Sequence, residues 1–146
     1  MKKIASVFFG SVVILASCGG GNKSETRLKG PPVLSPELLA ETKTRIDFVR
    51  HVKPILEHRC VWCHNGKDKK MPYVMTNRSE AFAGGRIVPG RPDESLLFRA
   101  MSAEHEAITM PAVGFKVPKE EVEVVRKWIE IGATWPAGKA GELRGK

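Results

Sequence analysis

Apolar residues recur at helical spacing just ahead of the most distinctive stretch of this sequence. Four of them share one face over residues 52–60, namely Val52, Ile55, Leu56 and Cys60. This spacing predicts a helix with one buried side. Proline is tolerated in the first turn of a helix, where its missing N–H costs nothing, so Pro54 places the predicted start near His51. The chain is therefore expected to reach Cys60 on a rigid element.

A second helix is predicted over residues 119–131, where the apolar stripe is the clearest in the chain. The stripe consists of Val122, Val125, Trp128 and Ile129. Acidic residues occupy the first turn of this helix, and Gly132 supplies a stop signal at its other end. The residues from 137 onward are rich in glycine and lysine, and we expect them to fray.

Shorter helices are predicted from their capping signals. Ser35, followed by a proline, opens a helix that ends before Ile46. Asn77 and Glu80 form a capping box for a helix that a Gly-Gly pair ends. Residues 92–94 open another helix, with two acids at its positive end. Helices joined by irregular loops, without a strand pattern, predict an all-α domain.

The N-terminus has the pattern of an export signal. Lys2 and Lys3 form a charged region, and residues 7–15 are an apolar run too short to cross a bilayer alone. Small residues then lead into Cys18, and this ending resembles the lipobox of bacterial lipoproteins. The resemblance implies cleavage before Cys18 and acylation of its thiol and amine. The alternative is an ordinary signal peptide, and in either case we expect the chain to leave the cytoplasm.

These signals divide the chain into four parts. We predict a lipoprotein signal peptide at 1–17, a lipid-anchored flexible linker with a short helix at 18–45, a globular domain at 46–136 and a polar tail at 137–146. The formal net charge is +8, and removal of the signal peptide lowers it by two. Because the chain is exported and its basic residues are dispersed, we expect no nucleic-acid partner.

The stretch Cys60-Val61-Trp62-Cys63-His64 has the spacing that attaches a c-type haem. Each cysteine can form a thioether to one vinyl group of the haem, and His64 is then held beside the iron as an axial ligand. A zinc site is an alternative, but it requires four ligands and the other histidines are scattered. A redox-active dithiol is another, although the βαβ pattern expected near it is absent from the sequence. Export favours haem, because bacteria attach c-type haem outside the cytoplasm.

The iron of such a haem has a sixth position on the opposite face of the ring. Candidate ligands are Met71, Met75, Met101, Met110, His51, His58 and His105. Candidates close to His64 in sequence are sterically unfavourable, and His51 and His58 are expected at the surface of the helix entering the motif. Met110 lies far downstream in a loop stiffened by Pro111, and a His/Met pair suits electron transfer. We therefore predict Met110 as the ligand, with a gap-filling core methionine as the alternative.

Five blocks of sequence occur together in a known order. They are residues 46–56, residues 60–64, residues 87–97, Met110-Pro111 and residues 128–136. Together they resemble the single-haem cytochrome c domain called planctomycete-type, within the class I cytochrome c fold. The resemblance implies a small all-α domain wrapped around one haem, with thioethers at Cys60 and Cys63 and axial ligands at His64 and Met110. It also implies that the helix before Cys60 crosses the C-terminal helix, where Trp128 packs.

Three positions depart from the pattern of that family. His51 stands where an acidic residue usually caps the helix, Ala112 stands where a second proline is usual, and Pro118 replaces a Ser or Thr cap. The first departure is expected to weaken a helix cap, and the second to loosen the Met110 loop. None of the three removes a predicted haem ligand.

The sequence thus predicts a membrane-anchored electron carrier and not an enzyme. Haem c would exchange single electrons with periplasmic redox proteins, and Cys18 would hold the chain to a bacterial membrane. A short basic run beside the motif favours partners with acidic surfaces, although such a run is also typical of a solvated loop: Lys67, Lys69 and Lys70. Two alternatives are a gas sensor or enzyme with a displaceable distal ligand, and a structural or zinc-binding lipoprotein without haem.

Overall fold

The computed structural model describes residues 31–67, 71, 73–102, 110–112 and 116–145. Among these residues the regular elements are helices and none is a strand, which confirms the predicted all-α class. The signal peptide, Cys18, Lys69, Lys70 and His105 lie outside the described residues. Within the described ranges, every helix is too short or too polar to pass through a bilayer.

Five α-helices and several shorter helical turns follow one another in these residues. The α-helices are α1 (Pro36–Glu41), α2 (Lys53–Leu56), α3 (Arg78–Phe82), α4 (Leu96–Ser102) and α5 (Lys119–Glu130). Turns of π type flank α2 at Phe48–Val52 and Glu57–Val61, and 3-10 turns lie at Ala83–Gly85, Pro92–Glu94 and Gly138–Ala140. The unbroken run formed by Phe48–Val52, α2 and Glu57–Val61 is termed the motif helix, because it leads into residues 60–64.

The motif helix begins earlier than predicted. Asp47 is its N-cap and accepts the Arg50 N–H through Oδ1 at 2.9 Å, so Pro54 lies inside the helical run and not in its first turn. A proline inside a regular α-helix clashes with the carbonyl four residues earlier. Here the turn ahead of it is widened, since the N–H of Lys53 donates to the carbonyl of Phe48, five residues back. The π-type turn is what makes the proline tolerable.

The capping signals agree with the structure. Ser35 caps α1, and Asn77 caps α3 by accepting the Glu80 N–H through Oδ1 at 3.1 Å. The return contact to Glu80 Oε2 comes from the side-chain Nδ2 of Asn77, at 2.9 Å. Helix α5 ends before Gly132, whose φ of 106° is accessible to glycine. These short-range signals are confirmed because the partners lie within one helical turn of each other.

Four aromatic rings join the motif helix to the C-terminal part of the chain. Phe48 lies 5.7 Å from Trp128 and 4.4 Å from Trp135, measured between ring centroids, and Phe82 meets Trp135 edge-on at 5.9 Å. Trp128 also donates its indole N–H to the carbonyl of Thr134 at 3.0 Å. The predicted packing of Trp128 against the motif helix is therefore confirmed at Phe48.

The C-terminal residues pack against the domain, so the expectation that they fray is wrong for this segment. Leu143 is buried, and its N–H donates to the carbonyl of Thr76 at 2.8 Å. The N–H of Arg144 donates to Glu57 Oε1 on the motif helix at 2.9 Å. The glycine- and lysine-rich composition concealed one apolar anchor, and that anchor holds the segment in place.

Candidate functional site

Both predicted thioether cysteines and the predicted proximal histidine lie in one helical turn at the end of the motif helix, at residues 60–64. The N–H groups of Cys63 and His64 both donate to the carbonyl of Cys60, at 3.2 and 2.9 Å. Cys60 and Cys63 are three positions apart and His64 follows directly, so this one turn contains both predicted thioether sites and the predicted proximal ligand. Both cysteines are free thiols, with Cys60 buried and Cys63 half-buried.

His64 is oriented by a main-chain carbonyl. Its Nδ1 lies 2.9 Å from the carbonyl oxygen of Tyr73, and because that oxygen can only accept, Nδ1 carries the proton. The lone pair is then on Nε2, which is the state in which histidine coordinates a metal. The N–H of Met75 also donates to the carbonyl of His64 at 2.9 Å. Residues 73–75 thus hold both the ring and the backbone of the predicted proximal ligand.

Nothing in the sequence identified residues 73–75 as the support of His64. A main-chain carbonyl carries no side-chain signature at its own position, so its contact with His64 could not be predicted. The only available signal was general, since a ligating histidine normally donates its second ring N–H to a carbonyl or carboxylate.

The thiol of Cys60 is not a reactive one. Burial raises the pKa of Cys60 from 9.0 to about 12, and the opposing positive charge of Arg59 only partly offsets this. A redox-active dithiol depends on a lowered pKa that produces thiolate near neutral pH. This environment does not fit the dithiol alternative and leaves Cys60 as a protonated, buried thiol in the haem-free chain.

A buried ion pair between Arg59 and Glu121 lies next to the turn. Arg59, which directly precedes Cys60, donates to Glu121 Oε2 through Nε at 3.1 Å and through Nη2 at 3.0 Å. The same arginine donates to the carbonyl of Pro31 at 2.7 Å, while the Glu121 carboxylate accepts the N–H of Val33. The pair therefore joins the motif helix, α5 and the segment that leads in from the N-terminus. The sequence pattern assigned Glu121 only to the first turn of a helix.

The candidates for the sixth position are separated by their surroundings. Met75 and Met101 are buried in the apolar core, and Met71 is half-buried. Met110 is half-buried, its N–H donates to the carbonyl of Ala100 in α4 at 2.8 Å, and it precedes Pro111 with a cis peptide bond. The structure thus anchors the backbone of Met110 to α4, and its role as the distal ligand stays a prediction.

The two histidines of the motif helix differ, and the prediction that both are surface residues is wrong for His51. His58 is exposed, whereas His51 is buried. The Nδ1 of His51 accepts the N–H of Asp47 at 2.9 Å, and its Nε2 lies 3.4 Å from Glu41 Oε2. His51 therefore completes the cap of the motif helix from within the first turn, which engages both of its ring nitrogens.

A stacked arginine lies beside the support of His64. The guanidinium carbon of Arg86 is 4.5 Å from the centroid of the Tyr73 ring, and Nη1 donates to the carbonyl of Glu80 at 2.7 Å. The Nε of the same side chain is buried and meets no hydrogen-bond acceptor in the part of the chain that the structure describes. No sequence pattern singled out Arg86.

A cleft of about 450 Å³ lies next to the turn. Its walls include Val61, Trp62 and Lys67 from the motif region and Leu143 and Arg144 from the C-terminal segment. The indole of Trp62 is 70% exposed, an unusual fraction for so large an apolar side chain. The cleft is thus lined by residues that neighbour the predicted ligands in sequence, and not by the ligands themselves.

The donor set of the turn suits a c-type haem. It offers two free thiols for thioethers and one imidazole whose Nε2 carries the lone pair, all within one turn. Arg86 adds a buried Nε–H that meets no acceptor among the described residues. In contrast, the described residues contain no group of three or more His, Cys, Asp or Glu side chains placed to hold a metal ion, as a structural zinc site requires.

Comparison with known proteins identifies a family. Residues 60–113 match the family model described as Planctomycete cytochrome C. The match begins at the first cysteine of the turn and extends past Met110. Neither a curated protein nor a solved structure matches this chain.

Proposed function

We propose that this chain is a lipid-anchored electron carrier with one covalently bound haem. The proposal starts from the planctomycete-type cytochrome c domain that the chain contains, which makes it a haem-binding electron carrier. In this proposal Cys60 and Cys63 form the two thioethers, and His64 and Met110 are the axial ligands. The observation that carries it is the His64 ring, held through Nδ1 by the Tyr73 carbonyl so that Nε2 carries the lone pair, in the same turn as both free thiols.

The protein groups in this proposal hold and tune the haem, and the iron supplies the one-electron chemistry when the haem is bound. The Tyr73 carbonyl fixes the tautomer of His64 and increases the basicity of Nε2. The thioether of Met110 would raise the reduction potential, since Met/His ligation does so in cytochromes c. The buried pair of Arg59 and Glu121 keeps the turn in place behind Cys60.

Covalent attachment can be tested on protein matured in a periplasm with a c-type haem assembly system. Wild-type protein should carry haem that stays with the polypeptide in denaturing electrophoresis, and the Cys60→Ala/Cys63→Ala double variant should lose it. Trp62→Phe is the matched control, because Trp62 lies between the two cysteines and supplies no ligand. Covalent haem in the double variant contradicts the proposal.

The distal ligand is tested by the optical spectrum and by carbon monoxide. Low-spin haem with the weak long-wavelength band of sulfur bound to ferric iron, and no reaction with carbon monoxide, is expected for His64/Met110 ligation. Met110→Ala should lower the reduction potential and open the iron to carbon monoxide. The buried Met75→Leu and Met101→Leu variants are the controls. If one of these opens the iron and Met110→Ala does not, Met110 is not the ligand; if wild type binds carbon monoxide, the sensor alternative is favoured.

For membrane attachment and partner, we propose acylation of Cys18 and docking of an acidic redox protein near Lys67. Lys67 and Arg144 line the cleft beside the exposed Trp62, and a positive rim around an exposed indole suits an acidic partner. Cys18→Ser should move the protein from the membrane fraction to the soluble periplasm.

Lys67→Glu should slow oxidation by anionic ferricyanide at low salt and should leave oxidation by an uncharged oxidant unchanged. Lys43→Glu, which changes an exposed lysine after α1, is the control. Equal effects of the two charge reversals would contradict a docking surface at Lys67.

A further inference from the structure

Arg86 is linked to the predicted proximal ligand, His64, through a single residue, Tyr73. Its guanidinium stacks on the Tyr73 ring at 4.5 Å, and the carbonyl of the same tyrosine accepts the Nδ1 proton of His64 at 2.9 Å. The His64 and Tyr73 ring centroids are 6.4 Å apart. A haem bound at His64 would therefore lie in the neighbourhood of this guanidinium.

The guanidinium is incompletely paired. Nη1 donates to the Glu80 carbonyl, but Nε is buried and has no acceptor among the described residues. No ion pair between described residues involves Arg86. Arginine stays charged at any pH that the protein meets, and a buried donor without a partner destabilises the fold. A buried cationic donor in this state favours an anion, and the described residues do not provide one to Arg86.

A second stacked arginine shows that stacking alone does not produce this state. The guanidinium carbon of Arg78 lies 4.6 Å from the centroid of the Phe82 ring, a geometry close to that of Arg86 over Tyr73. Arg78 is exposed, however, and can satisfy its donors with water. The two arginines thus share the ring contact and differ in the buried, unpaired Nε.

We propose that Arg86 binds a propionate carboxylate of the haem, with Nε as a donor. This inference rests on the proposed function, since it requires a haem at His64. The planar guanidinium is suited to a carboxylate, and a charge-assisted hydrogen bond would satisfy the buried Nε of Arg86. Arg86 would then support the haem twice, directly at the propionate and indirectly through the Tyr73 carbonyl that orients His64.

The test uses the pH dependence of the reduction potential of matured, haem-containing protein. A cation beside a carboxylate lowers the pKa of that carboxylate, so Arg86→Leu should raise the propionate pKa by about 1 to 3 pH units. The pH range over which the potential changes should move upward by the same amount. Arg86→Lys keeps the positive charge and should restore most of the wild-type profile. Arg78→Leu is the matched control and should leave the profile unchanged.

The outcomes separate this inference from the proposed function. Wild-type protein without covalent haem overturns both. Haem-containing Arg86→Leu with the wild-type pH profile overturns the role of Arg86 alone, as does a shifted potential with an unchanged pH profile, which would mean that Arg86 acts only by packing on Tyr73. If Arg86→Leu does not mature, Arg86→Gln removes the charge and keeps a polar side chain, and the same comparison decides.

Discussion

The two ends of the motif helix are both held by charged groups, but in opposite surroundings. At the first end Arg50 and Glu41 form a 2.7 Å pair whose side chains are 51% and 46% exposed. At the other end Arg59 and Glu121 form a 3.0 Å pair whose side chains are 7% and 0% exposed. Water can replace either partner of the first pair, whereas a partner lost from the second leaves a charge in the protein interior.

The two ion pairs differ in how much free energy of unfolding is expected to be lost when one partner is removed. The exposed pair lies beside a helix cap that Asp47 and the buried His51 already complete. The buried pair is next to Cys60 and also fixes the incoming segment at Pro31. Loss of one partner is therefore expected to cost more at the end of the helix that presents the haem-binding turn. Variants along the helix should show a gradient of effects that follows burial.

Glu121→Leu should have the largest effect. It leaves the Arg59 guanidinium buried without a counter-charge, and breaking a buried pair in this way costs about 3 to 5 kcal/mol. Urea unfolding of the haem-free protein measures the change in the free energy of unfolding. The Arg59→Leu/Glu121→Leu double variant is the control and should recover part of the loss, because it removes both charges. A loss below about 1 kcal/mol in the single variant would contradict the importance of the pair.

His51→Leu should have a smaller effect at the opposite end. It keeps an apolar side chain of similar bulk but removes the acceptor for the Asp47 N–H, at a cost of about 1 to 3 kcal/mol. The measurement is again urea unfolding of the haem-free chain. His51→Gln retains an acceptor and should lose less, and equal losses in the two variants would show that the hydrogen bond is not what His51 contributes.

The raised pKa of Cys60 predicts that the stability of the haem-free protein depends on pH. Its pKa is about 12 in the fold, against 9.0 for the unperturbed thiol, so the unfolded state releases the proton first as the pH rises. Stability is therefore fully present below pH 9 and falls between pH 9 and pH 12, by about 1.4 kcal/mol per pH unit from this group. Cys60→Ala should show a shallower decrease when unfolding is measured at pH 9 and pH 10.5. Parallel decreases would show that Cys60 is not the titrating group.

Arg50→Ala should have the smallest effect. Exposed ion pairs contribute between about 0 and 1 kcal/mol, and both partners here are about half exposed. The free energy of unfolding at low salt should change by less than that limit, and high salt should remove the difference. A loss as large as that of Glu121→Leu would invalidate the proposed contrast between the two ends.

Local patterns predicted the helical fold well. The Asn77–Glu80 capping box and the glycine stop after α5 depend on residues within one turn of each other, so the sequence contains both partners side by side. The apolar stripe of α5 was equally informative, because its period alone identifies the buried face. The spacing of the two cysteines and His64 is itself sufficient to place the three groups within a single helical turn.

The supports of the site could not be predicted in the same way. Arg59 and Glu121 are 62 residues apart, and nothing in either local sequence selects the other. The Tyr73 carbonyl belongs to a backbone that every residue shares, so its contact with His64 has no signature. His51 was assigned to the surface of the helix, whereas the helix begins at Phe48, so His51 lies in its first turn and is buried beside the Asp47 cap.

The π-type turns also set the angular phase of the motif helix. Each residue of an α-helix advances the side-chain direction by about 100°, so a widened turn changes the rotation of everything that follows it. Phe48 faces the tryptophan cluster at one end of this helix while Cys60 faces inward at the other. The rotation about the helix axis between Phe48 and Cys60 is therefore fixed by the turns that lie between them. Insertion or deletion of one residue near Pro54 would turn the haem-binding face away from its support while leaving every ligand present.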